Sequence, residues 1–194
     1  MNIIYLLFHG LSPYSGISKK ILHQVKGFEA CGHRVSLCTY SIADNGHRVR
    51  MINNEIIEDY GTGKPAAAKR RVSYQCIYRY AVTHQVELSY VRSFHNANPF
   101  TIRLFSKLRK AGIKIAMEIP TYPYDSEYAG FPLVTRLGIQ VDKVFRKTLA
   151  KHVNAIVTFS DYHCIFGQRT IQISNGVDFD SIPLKKTVAK NTSV

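Results

Sequence analysis

The chain has 194 residues, 45% of them hydrophobic and 20% charged, a length that buries one good core and falls short of two full domains. That composition excludes a disordered chain, and no apolar window approaches a membrane-spanning length. With 26 basic against 13 acidic side chains the formal net charge is +13, which favours polyanionic partners: nucleic acid, an anionic membrane face or phosphorylated substrates.

The first element is the apolar run Ile3 to Phe8, which reads as a strand and enters the loop Phe8 to Gly16. A helix follows, with Ser15 as its N-cap, Ile17, Ile21, Val25 and Phe28 along one face, and Gly32 as its stop. His33 to Tyr40 is the second strand. Asp44-Asn45-Gly46 marks a turn, and His47 to Ile57 suggests a hairpin or an irregular excursion. A helix is predicted over Pro65 to Val82, carrying Lys69, Arg70, Arg71 and Arg79 among Tyr74, Tyr78 and Tyr80.

Leu88 to Val91 is a short strand, and Asn98-Pro99 opens a helix with Phe100, Leu104, Phe105 and Leu108 inward and Gly112 at its end. Ile113 to Ile119 is a strand running into Pro120. A long helix from about Leu133 to His152 turns Val134, Leu137, Val141, Val144 and Leu149 inward. Asn154 to Phe159 is a further strand, Ser160 caps a short helix from Asp161 to Phe166, and Arg169 to Ile173 is the last strand. Strands alternating with helices predict an α/β fold: a Rossmann-like open parallel sheet with helices on both faces, spanning residues 1–183, with 184–194 a linker or frayed tail.

In such a sheet ligands bind at the carboxyl ends of the strands. Three loops fall on that rim: His9 to Gly16, Pro120 to Gly130 and Ser160 to His163. The loop Pro120-Thr121-Tyr122-Pro123-Tyr124-Asp125-Ser126-Glu127-Tyr128 is dense in rings that stack on sugars or lipids, and equally suits a packed surface loop. Glu118, at a strand end, is open to three readings: a base, an acceptor-orienting group, or the partner of a cation. His9 and His95 read as structural. Gly61-Thr62-Gly63-Lys64 is not a P-loop, since Glu58 and Pro65 occupy its first glycine and its magnesium-binding hydroxyl position. The first loop lacks the three spaced glycines of a dinucleotide fingerprint. Cys31, Cys38, Cys76 and Cys164 form neither a CxxC pair nor a zinc spacing and read as reduced, buried thiols of an intracellular protein.

Four stretches in order resemble the amino-terminal half of a GT-B glycosyltransferase, of the retaining family 4 group. They are Ser15-Gly16-Ile17-Ser18-Lys19-Lys20, Gly32-His33-Arg34-Val35, Glu118 to Tyr124, and Ile173-Ser174-Asn175-Gly176-Val177-Asp178. The resemblance covers Met1 to about Pro183. It implies that this half binds the acceptor while a second Rossmann-like domain holds most of the donor nucleotide sugar. Ser15 and Gly16 would approach the donor diphosphate, and Thr121, Tyr122, Tyr124, Asp125 and Glu127 would line the acceptor side. Glu118 is the candidate catalytic residue, and Asn175 to Asp178 would lead into the interdomain linker.

Ser15-Gly16 stands where the family often has paired glycines, and the donor-domain signature of two glutamates eight positions apart is absent. A truncation or one subunit of a split enzyme is therefore expected, inactive without a donor domain or partner subunit. The expected partners are a nucleotide sugar, which is a substrate, and a glycan or lipid-linked acceptor, with neither cofactor nor metal. The basic helices suggest a cytoplasmic protein, peripheral on the inner face of an anionic membrane. A non-catalytic subunit that recruits a donor-binding chain is the alternative. Nucleic acid is set aside because no recognition motif accompanies the charge.

Overall fold

This computed structural model describes residues 1–92, 96–123 and 133–174. Strand β1 (Asn2–Leu6) is apolar at successive positions because both its faces are covered. Ile3, Tyr5 and the following Leu7 pack against helix α1 (Gly16–Ala30), whereas Ile4 and Leu6 belong to the larger core on the other side. Strand β2 (Arg34–Ile42) pairs parallel to β1, and a hairpin of β3 (Arg48–Ile52) and β4 (Glu55–Asp59) extends that edge antiparallel. The expected excursion is thus a hairpin. Its turn residues Asn53 and Asn54 both take positive φ, the conformation that matches the twist of a two-residue connection.

The predicted helix over Pro65 to Val82 is two helices, α2 (Gly63–Val72) and α3 (Gln75–Thr83). Ser73 between them is extended, and the Tyr74 hydroxyl donates to the Arg71 carbonyl at 2.8 Å, which bends the chain so that Tyr74, Cys76 and Ile77 enter the core. Strand β5 (Leu88–Arg92) then pairs on the other side of β1. Helix α4 (Pro99–Lys110), β6 (Lys114–Ile119), helix α5 (Leu133–Ala150) and β7 (Ala155–Thr158) continue outward in the same sense. The short helix expected over Asp161 to Phe166 is instead β8 (Cys164–Ile165), which turns through Phe166 and Gly167, both at positive φ, into β9 (Gln168–Gln172).

Among the described residues the sheet has nine strands, in the order β4-β3-β2-β1-β5-β6-β7-β9-β8, with β1, β2, β5, β6, β7 and β9 parallel. This is the expected Rossmann-like open α/β sheet, helices on both faces. Succession runs from β1 to β2 in one direction and from β5 to β7 in the other, so the order reverses between β1 and β5. That reversal is the switch point at which open sheets form a crevice.

Three helix faces differ from expectation. In α4, Leu104, Phe105 and Leu108 are inward as expected, but Phe100, at the first turn, is exposed. In α1, Ile21 and Val25 are buried but Ile17 is exposed. In α5, Leu149 is inward as expected, yet Leu137, Val141 and Val144 are exposed and Ile139 and Asp142 take the buried side; the Val134 side chain lies outside the description. The reason is a polar one. The Asp142 carboxylate accepts from the buried Ala97 amide at 2.9 Å, and meeting that amide fixes the rotation of the helix against the most apolar stripe. Among the cysteines, Cys38 and Cys76 are buried as expected, while Cys31 and Cys164 are exposed.

Candidate functional site

The loop after β1 is held from several sides. Leu7 N donates to Cys38 O at 2.9 Å, Tyr40 N to His9 O at 3.3 Å, and Ser15 N to Ser12 O at 3.1 Å. Ser18, buried in the first turn of α1, accepts from Ser12 N at 2.9 Å. Gly10 is the glycine that packing demands, because a Cβ there would lie 2.8 Å from the Tyr40 carbonyl oxygen. Gly16 differs: a Cβ built on it meets nothing within 4 Å. Ser15, extended at the N-cap, accepts from Ser18 N at 3.5 Å. The first turn of α1 therefore opens toward the rim, with its positive dipole end beside the switch point.

Beneath α1 lies a polar network inside the apolar sheet face. Glu118 is fully buried, and its carboxylate accepts from the Arg92 guanidinium, from Tyr90 OH at 2.7 Å and from Gln24 Nε2 at 2.9 Å. Tyr5 OH donates to the Gln24 side-chain Oε1 at 2.6 Å, and the Tyr5 and Tyr90 rings are 5.0 Å apart. Burial, reinforced by the Glu118 charge, pushes both phenols well above the usual tyrosine range. Of the three readings of Glu118, the ion pair with a cation is the one its geometry displays. The network also ties α1 to β1, β5 and β6 across the switch point. Lys20 joins this region: its Nζ sits 3.4 Å from the centroid of the Phe159 ring, and burial holds its pKa below the ordinary lysine value.

On the β6 and β7 side, Tyr122 N donates to Ser160 Oγ at 3.0 Å, so Ser160 anchors the neighbouring loop and caps no helix. The Tyr122 ring meets Tyr162 at 5.0 Å and Phe166 at 5.5 Å edge-on, and Arg146 lies 4.8 Å from the Phe166 ring centroid. Thr121 is exposed beside it. The described members of the predicted site, Ser15, Gly16, Glu118, Thr121 and Tyr122, thus all belong to the carboxyl-end rim or its floor. Tyr124, Asp125 and Glu127 lie outside the described residues, as do His95 and Asn175 to Asp178.

Reading the sequence missed Tyr5, Gln24, Tyr90 and Arg92. Their signal was available: Tyr5, Tyr90, Arg92 and Glu118 are polar or amphipathic residues at alternating positions near the ends of otherwise apolar strands, which places them on one sheet face. Gln24 had none, since a glutamine on a helix is ordinary. No cluster of metal-binding side chains occurs among the described residues, and none of their helices is long and apolar enough to cross a membrane. No family model matches the chain, no curated protein matches its sequence, and no solved structure matches its fold.

Proposed function

We propose that this chain is the acceptor-side half of a retaining GT-B glycosyltransferase of the family 4 kind, which transfers a sugar from a nucleotide sugar to a glycan or lipid-linked acceptor. The observation that carries the reading is the open first turn of α1 at the switch point, where a Cβ built on Gly16 would meet no other atom within 4 Å, on the same rim as the Lys20–Phe159 contact and Tyr122. Helix amides there stabilise charge on a departing diphosphate, and the aromatic wall across the rim suits the apolar face of a sugar ring. In this reading a donor-binding domain forms the opposite wall of the cleft. The acceptor hydroxyl attacks the anomeric carbon as the nucleotide diphosphate leaves. Glu118, enclosed by Arg92, Tyr90 and Gln24, acts here by fixing α1 and the rim, and proton transfer belongs to groups that reach solvent.

A peripheral membrane position is part of the proposal. It is supported by exposed Leu137, Val141 and Val144 on α5 beside exposed Arg136 and Lys147, a pattern of apolar and basic side chains that suits an anionic lipid interface.

The test is titration of UDP and GDP into the isotopically labelled chain, followed by amide NMR. The half-site reading expects weak, saturable shifts concentrated at Ser15 to Lys19. Tight binding, or shifts that leave α1 untouched, would count against it.

A further inference from the structure

Beside the rim, on the sheet face opposite α1, four arginines gather, none of them in an ion pair with a described carboxylate. Arg50 on β3 is 1% exposed, and Nη1 donates to the Leu7 carbonyl at 2.8 Å. Arg48, two residues earlier on the same strand, donates from Nη1 to Tyr40 OH at 2.7 Å, and the Arg70 guanidinium of α2 stacks 4.1 Å from the Tyr40 ring centroid. Arg71 is exposed next to it. The Nε atoms of Arg48, Arg50 and Arg70 are all buried and none has a hydrogen-bond partner. None of the four forms an ion pair; Glu58, opposite Arg50 in the β3–β4 register, makes none with it.

Such a cluster is costly in isolation. A buried cation without a counter-charge is disfavoured, and like charges this close repel. The cost shows on Arg70, whose affinity for its proton is lowered by burial first, with the fields of Arg71, Arg48 and Arg50 acting the same way against that of Tyr40; on Arg50 burial works in the same direction, but the neighbouring Cys38 and Tyr60 outweigh it and the guanidinium holds its proton more firmly. Hydrophobic side chains of similar volume would fill this space at lower cost. The three Nε donors have no protein partner, and the guanidinium groups that carry them have the planar fork that suits phosphate oxygens.

We infer that Arg48, Arg50 and Arg70, with Tyr40 and Arg71 at the edge, form a binding site for a phosphate-bearing ligand. Arg50 is the floor, and Arg48 and Arg70, both half-buried, are the walls. The bond from Arg50 to Leu7 O ties the floor to the residue that follows β1 and leads into the rim loop, so occupancy of this site braces that loop. The inference stands independently of the sugar-transfer reading, because it uses no residue of the α1 turn. The same donors would grip alike the phosphate of a soluble ester and that of a lipid headgroup.

The experiment uses inorganic pyrophosphate as probe, titrated calorimetrically into the wild-type chain, an Arg48→Gln/Arg70→Gln variant and an Arg50→Met variant, with Lys151→Gln as a control for net charge. Saturable binding by the wild type and the control is expected, weakened about tenfold or more in the double variant through loss of charge-assisted bonds. Arg50→Met is expected to unfold no more readily than wild type without pyrophosphate, and to lose the rise in thermal midpoint that pyrophosphate gives the wild type. Flotation with phosphatidate vesicles separates the sources: a parallel loss of vesicle binding in the double variant assigns a lipid headgroup, and unchanged vesicle binding assigns a soluble phosphate ester. Equal pyrophosphate affinity in wild type and double variant, or no saturable binding by the wild type, overturns the site.

Discussion

Glu118 and the two rim glycines separate stability from function at the scale of single residues. Replacing Glu118 by Gln strands the Arg92 guanidinium in an apolar layer, and breaking one partner of a buried pair costs about 3–5 kcal/mol; urea unfolding should show a loss of that size. Gly10→Ala forces a Cβ onto the Tyr40 carbonyl and should destabilise by about 1–3 kcal/mol. Gly16→Ala meets open space in a helical first turn, so stability should hold or rise by up to about 1 kcal/mol, while the nucleoside-diphosphate shifts at Ser15 to Lys19 weaken. The thiols divide the same way. Burial pushes the Cys38 thiol up to about 12 and raises that of Cys76, so native protein at pH 8 should be alkylated at Cys31 and Cys164, and at Cys38 and Cys76 only after denaturation.

Elements differ in how firmly their ends and faces are specified. Helix α4 begins with a reciprocal capping box: the Asn98 side chain accepts from Phe100 N at 2.9 Å and Thr101 N at 3.1 Å, and Thr101 Oγ1 accepts from Asn98 N at 3.0 Å. Helix α1 has one cap bond, of 3.5 Å. Asn98→Ala should therefore cost about 1–2 kcal/mol and Ser15→Ala nearer 0.5 in chemical denaturation. On α5, Leu149→Ala should cost about 2–5 kcal/mol. Leu137→Gln and Val144→Gln should each stay within about 0.5 kcal/mol, as exposed positions do. The same two changes should reduce flotation with anionic vesicles if α5 meets the membrane, and unchanged flotation would remove α5 from that role.

For the whole molecule, pH acts through its buried phenols. Tyr5, Tyr60, Tyr74 and Tyr90 all have pKa values raised in the folded state, chiefly by burial. The unfolded chain releases these protons near the ordinary tyrosine value of about 10, while the native protein keeps them. Stability from these groups is thus full below that value and falls as pH rises above it toward the folded values, because the unfolded state then binds fewer protons. Spectrophotometric titration should show these four ionising only together with a cooperative alkaline unfolding.

Strand positions, the ends of α1 and α4 and the open-sheet class were legible from local patterns: continuous apolar runs, Ser15 and Asn98 as caps, Gly32 and Gly112 as stops, and alternation of strands with helices. Each is a short-range property of backbone and neighbouring side chains. The break at Ser73 and the β8–β9 hairpin were not, since Tyr74 is drawn inward by a core assembled from distant strands, and Phe166-Gly167 turns only because β9 has β7 to pair with. The rotation of α5 depended on one buried amide at Ala97, to which periodicity is blind. The same holds for chemistry. A strand-end Glu118 and scattered arginines are plain in the sequence, but only the fold decides that one carboxylate is enclosed by three donors while four guanidinium groups converge with none. Charge pairing is settled by which strands lie side by side, and that is a tertiary fact.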